Sequence, residues 1–275
     1  MGDSYNNTNL ICKGAYFMLF SDRPRAHYPN APVHEVICQL RFPTILSINN
    51  VEPADFQEVI RDTFPQYVRR QDMPVPQPGP NAPKPAPVSN YHFISADNLW
   101  KLNLTKEFIA LSTVRYTGWE DFAGHLDKAL AAFIQTYKPA YFQRVGLRYV
   151  NIISRKRLGL EDTPWTELMS PAYTAVFDQP DVQEEDLLNC ITDFQLKLDN
   201  SCRAKVHAGL GRVQVKVPNA PQDPEVKFIF DMDLSMSGNV PCTMAAGALE
   251  TLHVHGGRIF EGAITDELRS AMEHI

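Results

Sequence analysis

YHFISADNLWKLNLTKEFIALSTVRY, residues 91–116, decides the fold class. It holds three strand-like runs, Tyr91–Ala96, Leu99–Leu104 and Phe108–Tyr116, separated by the turn pairs Asp97-Asn98 and Thr105-Lys106. Connections that short cannot carry a crossover, so the runs predict an antiparallel meander. Upstream, PVHEVICQLRF (32–42) alternates, with Val36, Cys38, Leu40 and Phe42 on one face, the pattern of a half-buried strand. A helix opens at Pro53-Ala54-Asp55-Phe56, carries Phe56, Val59, Ile60 and Phe64 at helical spacing, and ends at Pro65. Downstream, Trp119–Tyr137 places Trp119, Phe122, Leu126, Ala129, Leu130 and Phe133 on one helical stripe, and Tyr141–Ile153 reads as a further strand. The first half is therefore predicted as β-α-β-β-β-α-β.

The rest of the chain has the same style. Trp165–Leu168 predicts a short helix; Ile191–Leu198, Arg203–Val217 and Val226–Leu234 predict strands; Met244–His255 and Asp266–Glu273 predict helices. The expected fold is α+β, with antiparallel sheets, helices on one face, and two loosely similar halves (30–153 and 154–275) packed as one body. Residues 1–29 are expected as a poorly ordered N-terminal extension. MPVPQPGPNAPKPAPV (73–88) holds seven of the 21 prolines, which fix φ and remove N–H donors, so an exposed polyproline-like loop is expected there.

Composition narrows the function classes. A formal charge of -6 argues against a broad basic surface for nucleic acid, although local basic patches remain compatible with it. No apolar run is long enough for a membrane-spanning helix. The five cysteines are widely spaced and contain no CxxC pair, so neither a disulfide framework nor a structural zinc motif is signalled, and a reducing cytoplasm is the expected location. P-loop, GxSxG, HExxH and dinucleotide-binding patterns are absent from the sequence.

Two constellations carry candidate chemistry. Asp231 and Asp233, two apart on a strand, project from one face and are the candidate metal ligands; a solvated acidic edge explains them equally well. Arg144 and Arg148 share a strand face across Gly146, and with Tyr149 form the candidate ligand-binding set for an anion or a nucleic-acid backbone. Pairing of both arginines with surface carboxylates is the competing reading. Three weaker signals read as structural. His253 and His255, with His207 as a further candidate metal ligand, diverge by about 200° on a helix, so a surface or helix-end location near Gly256-Gly257 is expected instead of a metal pair; Gly209-Leu210-Gly211 is expected as a hairpin turn; Glu261, Asp266 and Glu267 are expected near the positive end of the last helix.

Five blocks, NAPVHEVICQLRFPTILSI (30–48), EPADFQEVIRDTFPQY (52–67), ALSTVRYTGWEDF (110–122), RVGLRYVNII (144–153) and FEGAITDEL (260–268), resemble a sporadically distributed prokaryotic family of unknown function. The resemblance runs from about residue 30 to the C-terminus and implies no reaction, cofactor or catalytic residue. Its patchy distribution implies horizontally moved genes, such as defence or toxin-linked systems. The expected function is a non-enzymatic binding or regulatory subunit of such a module, without a cofactor, acting with a protein partner or as a homo-oligomer. The alternatives are a metal-dependent hydrolase or nuclease using Asp231 and Asp233, and an RNA-binding module using Arg144 and Arg148.

Overall fold

Nine strands pair into one antiparallel sheet in the order β2-β3-β4-β5-β1-β6-β9-β8-β7. The computed structural model describes residues 18–73, 87–213 (apart from 175, 178, 188 and 200) and 223–273. The elements are β1 (Val33–Arg41), α1 (Ser47–Asn50), α2 (Ala54–Ile60), β2 (Gln66–Asp72), β3 (Val88–Ile94), β4 (Trp100–Leu104), β5 (Phe108–Thr113), α3 (Trp119–Tyr137), β6 (Phe142–Ile153), α4 (Arg155–Leu158), α5 (Trp165–Leu168), α6 (Pro171–Thr174), β7 (Ile191–Lys197), β8 (Cys202–Gly211), β9 (Lys227–Val240), α7 (Ala245–Ala263) and α8 (Asp266–Glu273). The expected α+β class holds, with one continuous sheet.

The likeness of the halves is topological. The repeat starts at β6 rather than at residue 154: β1 to α3 and β6 to α7 each run from a central strand (β1 or β6) through a three-strand meander (β3-β4-β5 or β7-β8-β9) to a 19-residue helix (α3 or α7). β1 and β6 lie antiparallel at the centre, so the two meanders extend outward in opposite directions. Register puts Val36, Cys38 and Leu40 of β1, Val145, Leu147 and Tyr149 of β6, and Phe230, Met232 and Leu234 of β9 on one face, all buried. The long helices cover that face: Phe122 of α3 packs on Trp100, Phe133 on Phe42, and α7 crosses Tyr149 and Leu234 at Gly256. Among the described residues no helix is long and apolar enough to cross a membrane.

Several sequence expectations are corrected. Residues 18–29 do not form a loose extension: the segment runs along α7, with the Ser21 amide donating to the Arg258 carbonyl, Arg23 pairing with Asp266, and Tyr28 buried. Gly262 makes that course possible, because a Cβ there would stand 2.6 Å from the Leu19 carbonyl oxygen. Gly209-Leu210-Gly211 is not a turn. It finishes β8, where a side chain on Gly209 would collide with the Cys190 backbone. α7 continues past His255 through Gly256-Gly257 to Ala263. β2 is an additional edge strand, exposed along its whole length. The loop expectation for 73–88 falls almost wholly outside the described residues, as do residues 1–17.

Candidate functional site

The two predicted constellations meet on the face of the sheet opposite the long helices, where they neutralise one another. Arg144 Nη2 donates to Asp233 Oδ1 at 2.7 Å; Arg148 donates through Nε and Nη2 to both oxygens of Asp231, at 2.8 and 2.5 Å. Arg144 sits opposite Ser237 in the register yet reaches Asp233, because its guanidinium lies over Gly146, where a side chain would block it. Each carboxylate is thus held by a cation rather than free for a metal, and each arginine lacks the open charge that a phosphate needs. Each pair keeps one partner open to solvent, and partly exposed pairs of this kind stabilise by about 1 kcal/mol or less. Calorimetric titration with Mg²⁺ is therefore expected to give no binding heat that Asp231→Asn/Asp233→Asn removes; a magnesium site lost in that variant would contradict the assignment.

Tyr149 lies on the other face of β6, under α7, where it lines a cavity of about 480 Å³. Five separate segments build it. Tyr149 and Asn151 of β6 with Met232 of β9 form the floor; His253, Gly256, Gly257 and Phe260 of α7 form one wall. The turn into α3 (Tyr116 to Glu120) forms the other wall, and residues 25–33 close over it. The α7 glycines set its shape: a Cβ on Gly256 would stand 3.3 Å from the Tyr149 ring, and one on Gly257 3.2 Å from Arg25. Glycine inside a helix costs about 1 kcal/mol relative to alanine, and here it lets an aromatic ring and a guanidinium pass close to the helix backbone.

His253 is the hub. Its ring stacks on Trp119 with centroids 4.2 Å apart, and its Nδ1 lies 2.7 Å from the Tyr149 hydroxyl and 3.2 Å from Arg25 Nη1. Arg25 also donates to the His253 carbonyl at 3.2 Å, with its guanidinium carbon 5.5 Å from the Tyr149 ring centroid. Because an arginine can only donate, Nδ1 is the accepting nitrogen and the neutral ring carries its proton on Nε2. Burial, and secondarily the Arg25 charge, push His253 down to about 3. Burial likewise raises the Tyr149 phenol well above its ordinary value, and that of Tyr116 as well.

Beside the cavity Glu261 is buried, accepting from the Tyr28 hydroxyl at 2.8 Å and from Arg269 Nε and Nη2 at 3.2 Å each. It was expected as a dipole-facing carboxylate of the last helix. Instead it is the buried anchor that joins residues 18–29 to α7 and α8. Arg25, by contrast, forms no ion pair with a carboxylate among the described residues.

No family model matches this chain, and no curated protein is detectably similar to it. The site therefore stands on its own geometry.

The His253 environment has a consequence for stability. Between about pH 3 and 6.5 the unfolded chain protonates this histidine while the folded chain does not, so the unfolded state binds more protons and stability falls as pH drops through that window. The limiting slope is about 1.4 kcal/mol per pH unit. Urea denaturation at pH 7, 6, 5 and 4 is expected to show His253→Gln losing less stability than wild type on acidification. Parallel losses in the two proteins would contradict the buried neutral ring.

Proposed function

We propose that this protein is a non-enzymatic ligand-binding protein, a binding or regulatory subunit, whose site is the cavity under residues 25–33. The ligand class is a small molecule with a flat apolar body and one anionic group. The observation that carries this reading is Arg25: a guanidinium set over a tyrosine ring at an aromatic-walled cavity, with no carboxylate partner among the described residues. The buried Glu261 beside it is already paired with Arg269, and arginine suits carboxylate or phosphate recognition. A volume of about 480 Å³ is ordinary for a small-molecule site. The first turn of α3 reaches the cavity but carries Glu120 and Asp121, so its positive end is already compensated and the anion preference rests on Arg25.

A binding role, rather than general acid–base catalysis, follows from the same environment. His253 faces two donors and stays neutral, and the phenols of Tyr149 and Tyr116 stay protonated. These groups act as fixed hydrogen-bonding partners, while acid–base catalysis favours a group that titrates near the working pH. The test is calorimetry with three matched probes, 2-naphthoate, 2-naphthalenemethanol and 2-naphthylmethylamine. The naphthoate is expected to bind at least tenfold more tightly than the alcohol, and the amine most weakly. Equal affinities, or a preference for the amine, would overturn the reading.

A further inference from the structure

On the opposite side of α7 from His253, a second set of side chains converges. His255 follows it by two residues and therefore points about 200° away, toward the β7–β8 hairpin. There Asp199, Cys202 and His255 bring one carboxylate oxygen, one sulfur and one imidazole nitrogen within 4.8 Å of one another. We propose that these three side chains form a binding site for a single Zn²⁺ ion, with solvent in the fourth position. The site is independent of the cavity reading.

The hairpin explains only part of this arrangement. Asp199 Oδ1 accepts the backbone N–H groups of Ser201 and Cys202 at 2.8 and 2.7 Å, an ordinary means of closing a tight turn. It does not account for the other oxygen. Oδ2 lies 3.6 Å from His255 Nε2, too far for a hydrogen bond but near the roughly 3.3 Å that separates two ligands of one tetrahedral zinc. The turn fixes the carboxylate by its far oxygen and leaves the near one aimed at the histidine, which is how outer hydrogen bonds orient metal ligands. Cys202 adds a soft ligand from a fully buried position, while Asp199 is half-exposed and gives the ion an entry from solvent. A sulfur, nitrogen and oxygen set suits zinc better than magnesium or calcium, and three protein ligands with a solvent position is a recurrent zinc arrangement.

Without metal, burial and the nearby Asp199 raise the Cys202 thiol above its ordinary value, so the resting group is S–H. Binding then forms a zinc–sulfur bond, breaks the S–H bond, and passes one proton to the buffer. The ion would tie the β7–β8 hairpin to α7, the helix that carries His253.

Cobalt(II) titration of the full chain is the test, since a thiolate ligand gives cobalt a charge-transfer absorption. One equivalent is expected to bind, with a charge-transfer band that Zn²⁺ abolishes and Cys202→Ser lacks. Asp199→Asn keeps an oxygen for the two turn amides, and His255→Gln lies on an intact helix. Each is expected to weaken binding at least about tenfold, so the proposal stays testable should Cys202→Ser fail to fold. Arg25→Met, which disables the cavity, should leave cobalt affinity unchanged. Absence of the band, its survival in Cys202→Ser, or wild-type affinity in both other variants would overturn the site.

Discussion

Arg269→Met is expected to lower the free energy of unfolding by about 3–5 kcal/mol at pH 7, the largest single effect anticipated in this protein. Glu261 is only 4% exposed, and its carboxylate depends on the Arg269 guanidinium for its charge partner. Removing that cation leaves a buried anion with one neutral donor, the Tyr28 hydroxyl. Taking away the anion as well should return much of the loss, because the cost comes from a stranded charge rather than a missing contact. Arg269→Met/Glu261→Gln is therefore expected to be more stable than Arg269→Met alone. Urea denaturation of the four proteins gives the coupling energy directly. A loss below about 1 kcal/mol in Arg269→Met would mean that Glu261 is solvated, and that residues 18–29 are held less firmly than described.

The second large effect concerns Arg25. Arg25→Met keeps a long apolar side chain beside Gly257 and Tyr149 but removes the cation. A charge-assisted hydrogen bond contributes about 1.5–3 kcal/mol, so 2-naphthoate affinity should fall about 10- to 150-fold while 2-naphthalenemethanol changes little. Stability should change little, since Arg25 is an exposed residue that contributes no ion pair among the described residues and methionine keeps its apolar contacts. Equal losses for both probes would show that the arginine shapes the cavity rather than recognising charge.

The sheet was legible in the sequence because it is two-faced. Alternation in 32–42 marks a strand with one buried face, the short turns within 91–116 mark an antiparallel meander, and the 3.6-residue stripe of Trp119–Tyr137 marks α3 to its ends. β2 was not legible: QYVRRQD buries no side chain, so no apolar period announces it, and backbone pairing to β3 alone makes it a strand. Gly256-Gly257 reads locally as a helix end. Only the period continuing through Leu249, Leu252, Ile259 and Ala263 reveals the helix, with the glycines serving close approach instead of termination.

The candidate site was legible in fragments. Alternation correctly divides Arg144 and Arg148 from Tyr149, but cannot tell that the arginines meet Asp233 and Asp231 on a neighbouring strand some 80 residues later. The cavity itself escapes period analysis, because Arg25, Trp119, Tyr149 and His253 come from four segments that only the tertiary fold assembles. A signal did exist in residues 18–29. Arg25 and Tyr28 lie in a stretch with few charges to pair locally, yet each finds its partner on α7, at His253 and Glu261.

The most direct test of the central claim is a crystal structure of the protein with 2-naphthoate. The naphthalene ring is expected in the cavity between α7 and the turn into α3, with the carboxylate within hydrogen-bonding distance of Arg25. A naphthoate bound instead at Arg144 and Arg148 on the opposite face, above an empty cavity, would contradict that claim.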